Sequence, residues 1–190
     1  MLVESNKIHP LLLLLFVITL TACVPDSKNP LTGFDRDAID ASLYGSWFWK
    51  DDDETGYLHF GREGESGMLQ LMMVELNSNG KISVTQLLGH TSQLGENRYL
   101  NLKFVPPEDG ISEYIILKYE ISDKGLGLAF MDPSVVEKAI EDKVLAGSLK
   151  RDGPFSSVHL SDMPEKLQLF VSRHDKEVFP EMKFLPRLYN

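Results

Sequence analysis

Arg98-Tyr99-Leu100-Asn101-Leu102-Lys103-Phe104 is the stretch whose period decides the fold class. Leu100, Leu102 and Phe104 fall on one side of an extended chain, and Tyr99, Asn101 and Lys103 on the other. That period-two alternation is the mark of a strand with two different faces. It returns in Glu113–Ile121, where Ile115, Leu117, Tyr119 and Ile121 face one way. It returns again over 126–131, where Leu126, Leu128 and Phe130 alternate with Gly127, Ala129 and Met131. Pro106 to Gly110 separates the first two runs, with Asp109-Gly110 as turn chemistry, and Asp123-Lys124-Gly125 separates the last two.

The same reading extends upstream. Ser46–Lys50 and Tyr57–Gly61 are aromatic-rich strand candidates around an acidic turn, Asp51-Asp52-Asp53-Glu54-Thr55-Gly56. Met68–Leu76 and Lys81–Leu88 flank Asn79-Gly80, a two-residue hairpin signal because both turn positions favour positive φ. Downstream, Asp132-Pro133 fits an N-cap followed by proline at the first helical position. Val136, Ala139, Ile140 and Val144 then share a face, with Gly147 as terminator, which predicts a helix near 134–146. Ser148–Lys150 and Ser156–Leu160 read as strands. Asp162 and Glu165 have capping-box spacing before Leu167, Phe170 and Val171, which predicts a helix near 162–174. The tail Phe179 to Asn190 carries apolar residues around Pro180 and Pro186 and is expected to pack on the strands. The fold class is therefore mainly β with two flanking helices, a β-rich α+β chain. Successive strands with short turns make an antiparallel up-and-down barrel or a sandwich, in one domain over 43–190.

Residues 1–22 read as an export signal. Lys7 and Glu4 precede an apolar run from Leu11 to Leu20 that is too short for a membrane span of ~20 residues. Leu20-Thr21-Ala22-Cys23 resembles the lipobox of bacterial lipoproteins. The resemblance implies cleavage between Ala22 and Cys23 and lipid on the Cys23 thiol. Val24, where an Asp would favour inner-membrane retention, implies the outer membrane facing the periplasm. The chain resembles small bacterial lipoproteins of this organisation, a likeness that implies no specific activity. Cys23 is the only cysteine, so lipidation leaves no disulfide or thiol chemistry. Residues 23–42, with Pro25, Pro30 and Gly33 and no sustained period, read as a lipidated tether. The net charge of −9 and pI near 5.0 argue against nucleic acid and against a polybasic grip on lipid headgroups. Membrane attachment is assigned to the lipid.

Gly45-Ser46-Trp47 resembles the Gly-x-Trp with which lipocalins open, where the tryptophan plugs the closed end of a ligand-holding barrel. That likeness makes a lipocalin-like barrel the architectural expectation. The family's Thr-Asp-Tyr segment and the late arginine over the tryptophan are not evident at the expected places, so no binding residue carries over. The remaining candidates have plainer readings. Asp51–Glu54 offers carboxylates of the kind calcium favours but lacks alternating ligand spacing, and reads as a solvated hairpin tip. His9 is removed with the signal; His59, His90, His159 and His174 have no zinc-ligand spacing. Ser156-Ser157, His159 and Asp162 lack a nucleophile elbow and read as strand residues and a helix cap. Met72, Met73 and Met131 read as core filler. The sequence thus offers no catalytic, cofactor or metal site. It leaves two functions: an interaction or envelope-maintenance protein with a filled barrel and a protein partner, or a carrier of a small apolar ligand. Bulky inward residues favour the first.

Overall fold

The computed structural model describes residues 24–50, 54–107, 113–152 and 155–188. The signal segment with His9, the Ala22–Cys23 junction, the lipidation site Cys23, the acidic residues 51–53 and the turn Asp109-Gly110 lie outside them.

The described chain is mainly β with two helices on a large, mostly antiparallel sheet. β1 (Asp26–Ser27) comes first. Then β2 (Gly45–Lys50), β3 (Glu54–Arg62), β4 (Leu69–Asn77), β5 (Ile82–Leu94), β6 (Asn97–Phe104), β7 (Tyr114–Ser122) and β8 (Gly125–Phe130) pair in sequence as antiparallel neighbours. After α1 (Pro133–Glu141), β9 (Gly147–Asp152) and β10 (Phe155–Leu160) make a hairpin, α2 (Pro164–Val178) follows, and β11 (Lys183–Leu185) pairs with β8. The free edge of β7 is divided. Its first residues pair with β1, which also pairs in parallel with β10, and its later residues pair with β8.

Alternation sorts the side chains as the sequence pattern demands. Leu58, Phe60, Leu71, Leu87, Leu100, Leu102, Leu117, Tyr119 and Leu126 point inward and bury around Trp47. The opposite face of β6–β8, through Tyr99, Ile116 and Ala129, buries against Val136 and Ala139 of α1, Leu167, Phe170 and Val171 of α2, and Val158 and Leu160 of β10. β6 and β7 are therefore covered on both faces.

Four expectations need correction. First, the ladders do not run unbroken round a closed barrel. Among the described residues, only an isolated bridge joins β2 to the tail, Trp47 to Arg187, with Phe48 N–H donating to Pro186 O (3.1 Å) and Leu188 N–H to Ser46 O (2.8 Å). Pro186 has no N–H to extend that ladder. Second, residues 24–42 are not a tether. Ser27 and Leu31 are buried, β1 sits between β7 and β10, and 3₁₀ turns at Arg36–Ala38 and Ala41–Leu43 lead into β2. Third, both helices shift. Asp132 caps α1 as expected, its side chain accepting from Ser134 N–H (2.8 Å), but the helix stops at Glu141. Lys143 takes positive φ and Val144 and Leu145 turn back onto Ala139 O, so Gly147 starts β9 instead of ending a helix. α2 begins at Pro164 behind Met163, with no side-chain cap; Asp162 is engaged by Ala146 N–H and Lys166. Fourth, the Asn79-Gly80 turn is longer than two residues. Asn77 accepts from Gly80 N–H through its carbonyl and from Lys81 N–H through its side chain, and only Gly80 takes positive φ.

Leu31→Ala is expected to lower unfolding free energy by about 2–4 kcal/mol in urea titration, the cost of emptying a buried leucine site. A change below roughly 0.5 kcal/mol would restore the tether.

Candidate functional site

The inner face has a sealed end and an open end. At the sealed end Trp47 Nε1–H donates to Leu43 O (3.0 Å). The Arg187 guanidinium lies 4.6 Å from the Trp47 ring centroid, and its Nη2 donates to Tyr44 O (2.6 Å) and Ser42 O (3.2 Å). Sequence reading missed this arginine. It lies 143 positions from Tyr44, between proline and leucine in a short irregular tail, where no period marks it.

Asp40 locks the same end. Arg98 Nη1 (2.9 Å), Tyr119 O–H (2.9 Å) and Ser42 N–H (3.0 Å) all donate to its carboxylate. Burial pushes the Asp40 pKa up, but the bonds from Ser42 and Tyr119 and the Arg98 charge outweigh it, so it lies below its usual value. Burial, then the bond to Asp40, pushes the Tyr119 hydroxyl far up. A polar cleft of about 670 Å³ opens beside this lock, with Thr32, Asp35, Thr91, Ser92 and Gln93 on its walls.

The open end is apolar. Trp49, Met73, Phe104, Ile115 and Leu128 are half-buried against the inner core, and Phe130 is exposed at the end of β8. Trp49 lies flat across Gly56, where a Cβ would sit 1.9 Å from the ring.

The histidines singled out in the sequence are scattered. His59 Nδ1 meets Ser46 Oγ (2.6 Å), His159 Nδ1 meets Asp26 (2.5 Å), and His174 Nδ1 meets Glu177 (3.2 Å). His159 is thus engaged across to β1, and Asp162 is held by Ala146 and Lys166, not by His159. Of the acidic run, Glu54 starts β3 opposite Asn77. Met131 is buried, Met73 is inward and Met72 outward. Among the described residues no group of three or more His, Cys, Asp or Glu is placed to hold a metal ion.

His90 is the buried exception. Nε2–H donates to Thr32 O (2.8 Å), while Nδ1 has no partner among the described residues. Burial, only partly opposed by that bond, pushes its pKa below the ordinary 6.5.

Compared with protein-family models, curated proteins and solved structures, the chain has no significant match.

Arg187→Ala is expected to cost about 1–2 kcal/mol, from a charged hydrogen bond and an exposed cation–π contact, and to shift tryptophan emission. Unchanged stability and emission would remove Arg187 from the seal. The unfolded chain protonates His90 near pH 6.5 and the folded chain resists, so stability is whole above that value and falls as pH drops below it towards the folded pKa. His90→Gln is expected to reduce the stability difference between about pH 7.5 and about pH 5 in urea titrations. An unreduced difference would assign the slope to other groups.

Proposed function

We propose that the chain is a lipid-anchored envelope protein, held by lipid on Cys23 at the outer membrane and facing the periplasm. It has no catalytic role and acts through its surface on a protein partner, in envelope maintenance. Its body is a lipocalin-like barrel whose seam is the contact between β2 and the tail.

The anchor rests on Leu20-Thr21-Ala22-Cys23 and the apolar run before it. The barrel reading is supported by Arg187 over Trp47 at the sealed end. One observation carries the choice of function: the inward side chains form one packed cluster, with Trp47, Leu100, Leu102 and Tyr119 all but inaccessible. A ligand held deep inside would have to displace them, at a cost comparable to large-to-small changes in a core.

A carrier of a small apolar ligand is the second reading. The half-buried rim of Trp49, Met73 and Phe104, with Phe130 exposed beside it, favours it.

Expressed with export, the chain is expected to yield an amino-terminal peptide bearing acyl mass on Cys23. Cys23→Ala abolishes that mass and moves the protein to the aqueous phase of a detergent partition. An unmodified Cys23 in mature protein refutes the anchor. Native mass spectrometry of residues 24–190, exported and purified without detergent, is expected to show a bare chain; a stoichiometric extra mass lost on denaturation would select the carrier.

A further inference from the structure

Against a chain of net charge −9, one patch is apolar with a cationic rim. A groove of about 230 Å³ between α2 and the loop after α1 is lined by Val144, Leu145, Leu169 and Phe170, and by Lys166, Arg173 and His174, with no carboxylate. Leu145 and Phe170 form its buried floor, while Val144 (48% exposed) and Leu169 (49%) project from it; Met163 at the head of α2, outside the groove, is 65% exposed. Lys166, Leu169 and Arg173 follow at steps of three and four along the outward face of α2, and the exposed Lys176 comes after the kink at His174. Lys166 pairs with Asp162 and His174 with Glu177, but Arg173 and Lys176 make no ion pair among the described residues.

The chain leading to Cys23 is short. β1 starts at Asp26, and Pro25 before it is buried. Asn29 reaches Asp162 O (2.8 Å), and Gln168 of α2 reaches Leu31 O (2.6 Å), so the amino-terminal segment is bound to the start of α2. Three residues span roughly 10 Å, and the six from Cys23 to Asn29 roughly 20 Å. Lipid on Cys23 would keep this body, and the start of α2 in particular, at the bilayer surface.

We propose that the groove face of α2 is a membrane-docking surface, on which Met163, Leu169 and Val144 enter the interface of an anionic phospholipid bilayer while Lys166, Arg173 and Lys176 meet its phosphates. Basic residues flanking projecting apolar ones are what an anionic interface attracts. The proposal rests on the anchor reading for the nearness of the bilayer. It adds a protein surface where overall charge points to the lipid alone.

Two measurements test it. The unlipidated body, residues 24–190, which contains every contact described, is floated with vesicles of phosphatidylcholine with or without phosphatidylglycerol. Expected is binding to the anionic vesicles that weakens with salt, and a loss of more than about fivefold on Arg173→Glu, since removing one basic residue alone is the equivalent of about 1 kcal/mol and the new carboxylate adds repulsion. Binding unaffected by Arg173→Glu, or equal on neutral vesicles, overturns the proposal. Because an unanchored body binds weakly, the lipidated protein in anionic vesicles is also labelled with an environment-sensitive dye at Leu169→Cys and, as control, at exposed Glu96→Cys. A blue shift at 169 alone supports docking; equal spectra at both positions overturn it. Absent acyl mass with vesicle binding retained strikes only the anchor reading. Acyl mass with equal dye spectra strikes only the docking surface.

Discussion

The outward face of β6 and β7 has to be covered, and most of the architecture follows from how that is done. Asn101, in the middle of β6, has no exposure at all. Its Oδ1 accepts from Leu31 N–H (2.7 Å) and its Nδ2 donates to Ser92 Oγ (2.7 Å). A buried amide left without partners costs about 1–3 kcal/mol, so the segment carrying Leu31 is required where it lies. Thr32 adds a bond to Ser92 Oγ (2.6 Å) and accepts from His90. Further along the same face Tyr99 O–H donates to Asp175 of α2 (2.6 Å), and Lys118 of β7 pairs with the same carboxylate. Burial, then the Asp175 hydrogen bond, pushes the Tyr99 pKa well up, so Tyr99 stays a donor. The strap formed by residues 24–42 and helix α2 are thus fixed to the strands by directional polar bonds set in an apolar surround, and not by burial alone.

The strap's path explains the sealed end. Having crossed β5 and β6 it must turn to enter β2, and the two 3₁₀ turns make that turn with Asp35 and Asp40 as caps. Asp40 then joins Arg98 of β6 to Tyr119 of β7, while Arg187 joins the Ser42 and Tyr44 carbonyls to the Trp47 ring. Residues from the start, middle and end of the chain meet there. None of these bonds is local in sequence. Loop closure has to precede the contacts that reward it, which places this end among the later parts to form.

The alternating pattern made the strands legible because the inner face is uniformly apolar: Leu100, Leu102, Leu117 and Leu126 lie where period two puts them. The same pattern leaves the other face undecided. Tyr99, Asn101 and Lys103 look like a solvent side, and Asn101 is buried because a distant segment supplies its hydrogen-bond partners. The strap itself was read as a linker since β1 has only two residues, too few to show a period. β11 has three and was likewise invisible as a strand, though the tail was expected to pack and does. The Asp162–Glu165 capping spacing misled because Asp162 is taken by Ala146 and Lys166, which folding brings together. Of the candidate sites, Trp47 was legible from Gly45-Ser46-Trp47, whereas Arg187 and the α2 groove were not, since both depend on side chains meeting across the fold.

Net charge is a sum over the chain, and a surface meets a membrane one face at a time. Many of the carboxylates that make the total acidic are spent elsewhere: Asp40 at the sealed end, Asp175 against β6 and β7, Asp26 on His159, Asp142 on Lys138. The residues that line the α2 groove itself include Lys166 and Arg173 and no carboxylate. The strap sharpens the effect. A free tether of some twenty residues would let the body turn any face to the bilayer, and weak contacts would be diluted over all orientations. With the chain locked from Asp26 onward, lipid on Cys23 would raise the effective concentration of one side of the molecule at the interface. Contacts of about 1 kcal/mol each, too weak to recruit a free protein, are then enough to choose which face lies down.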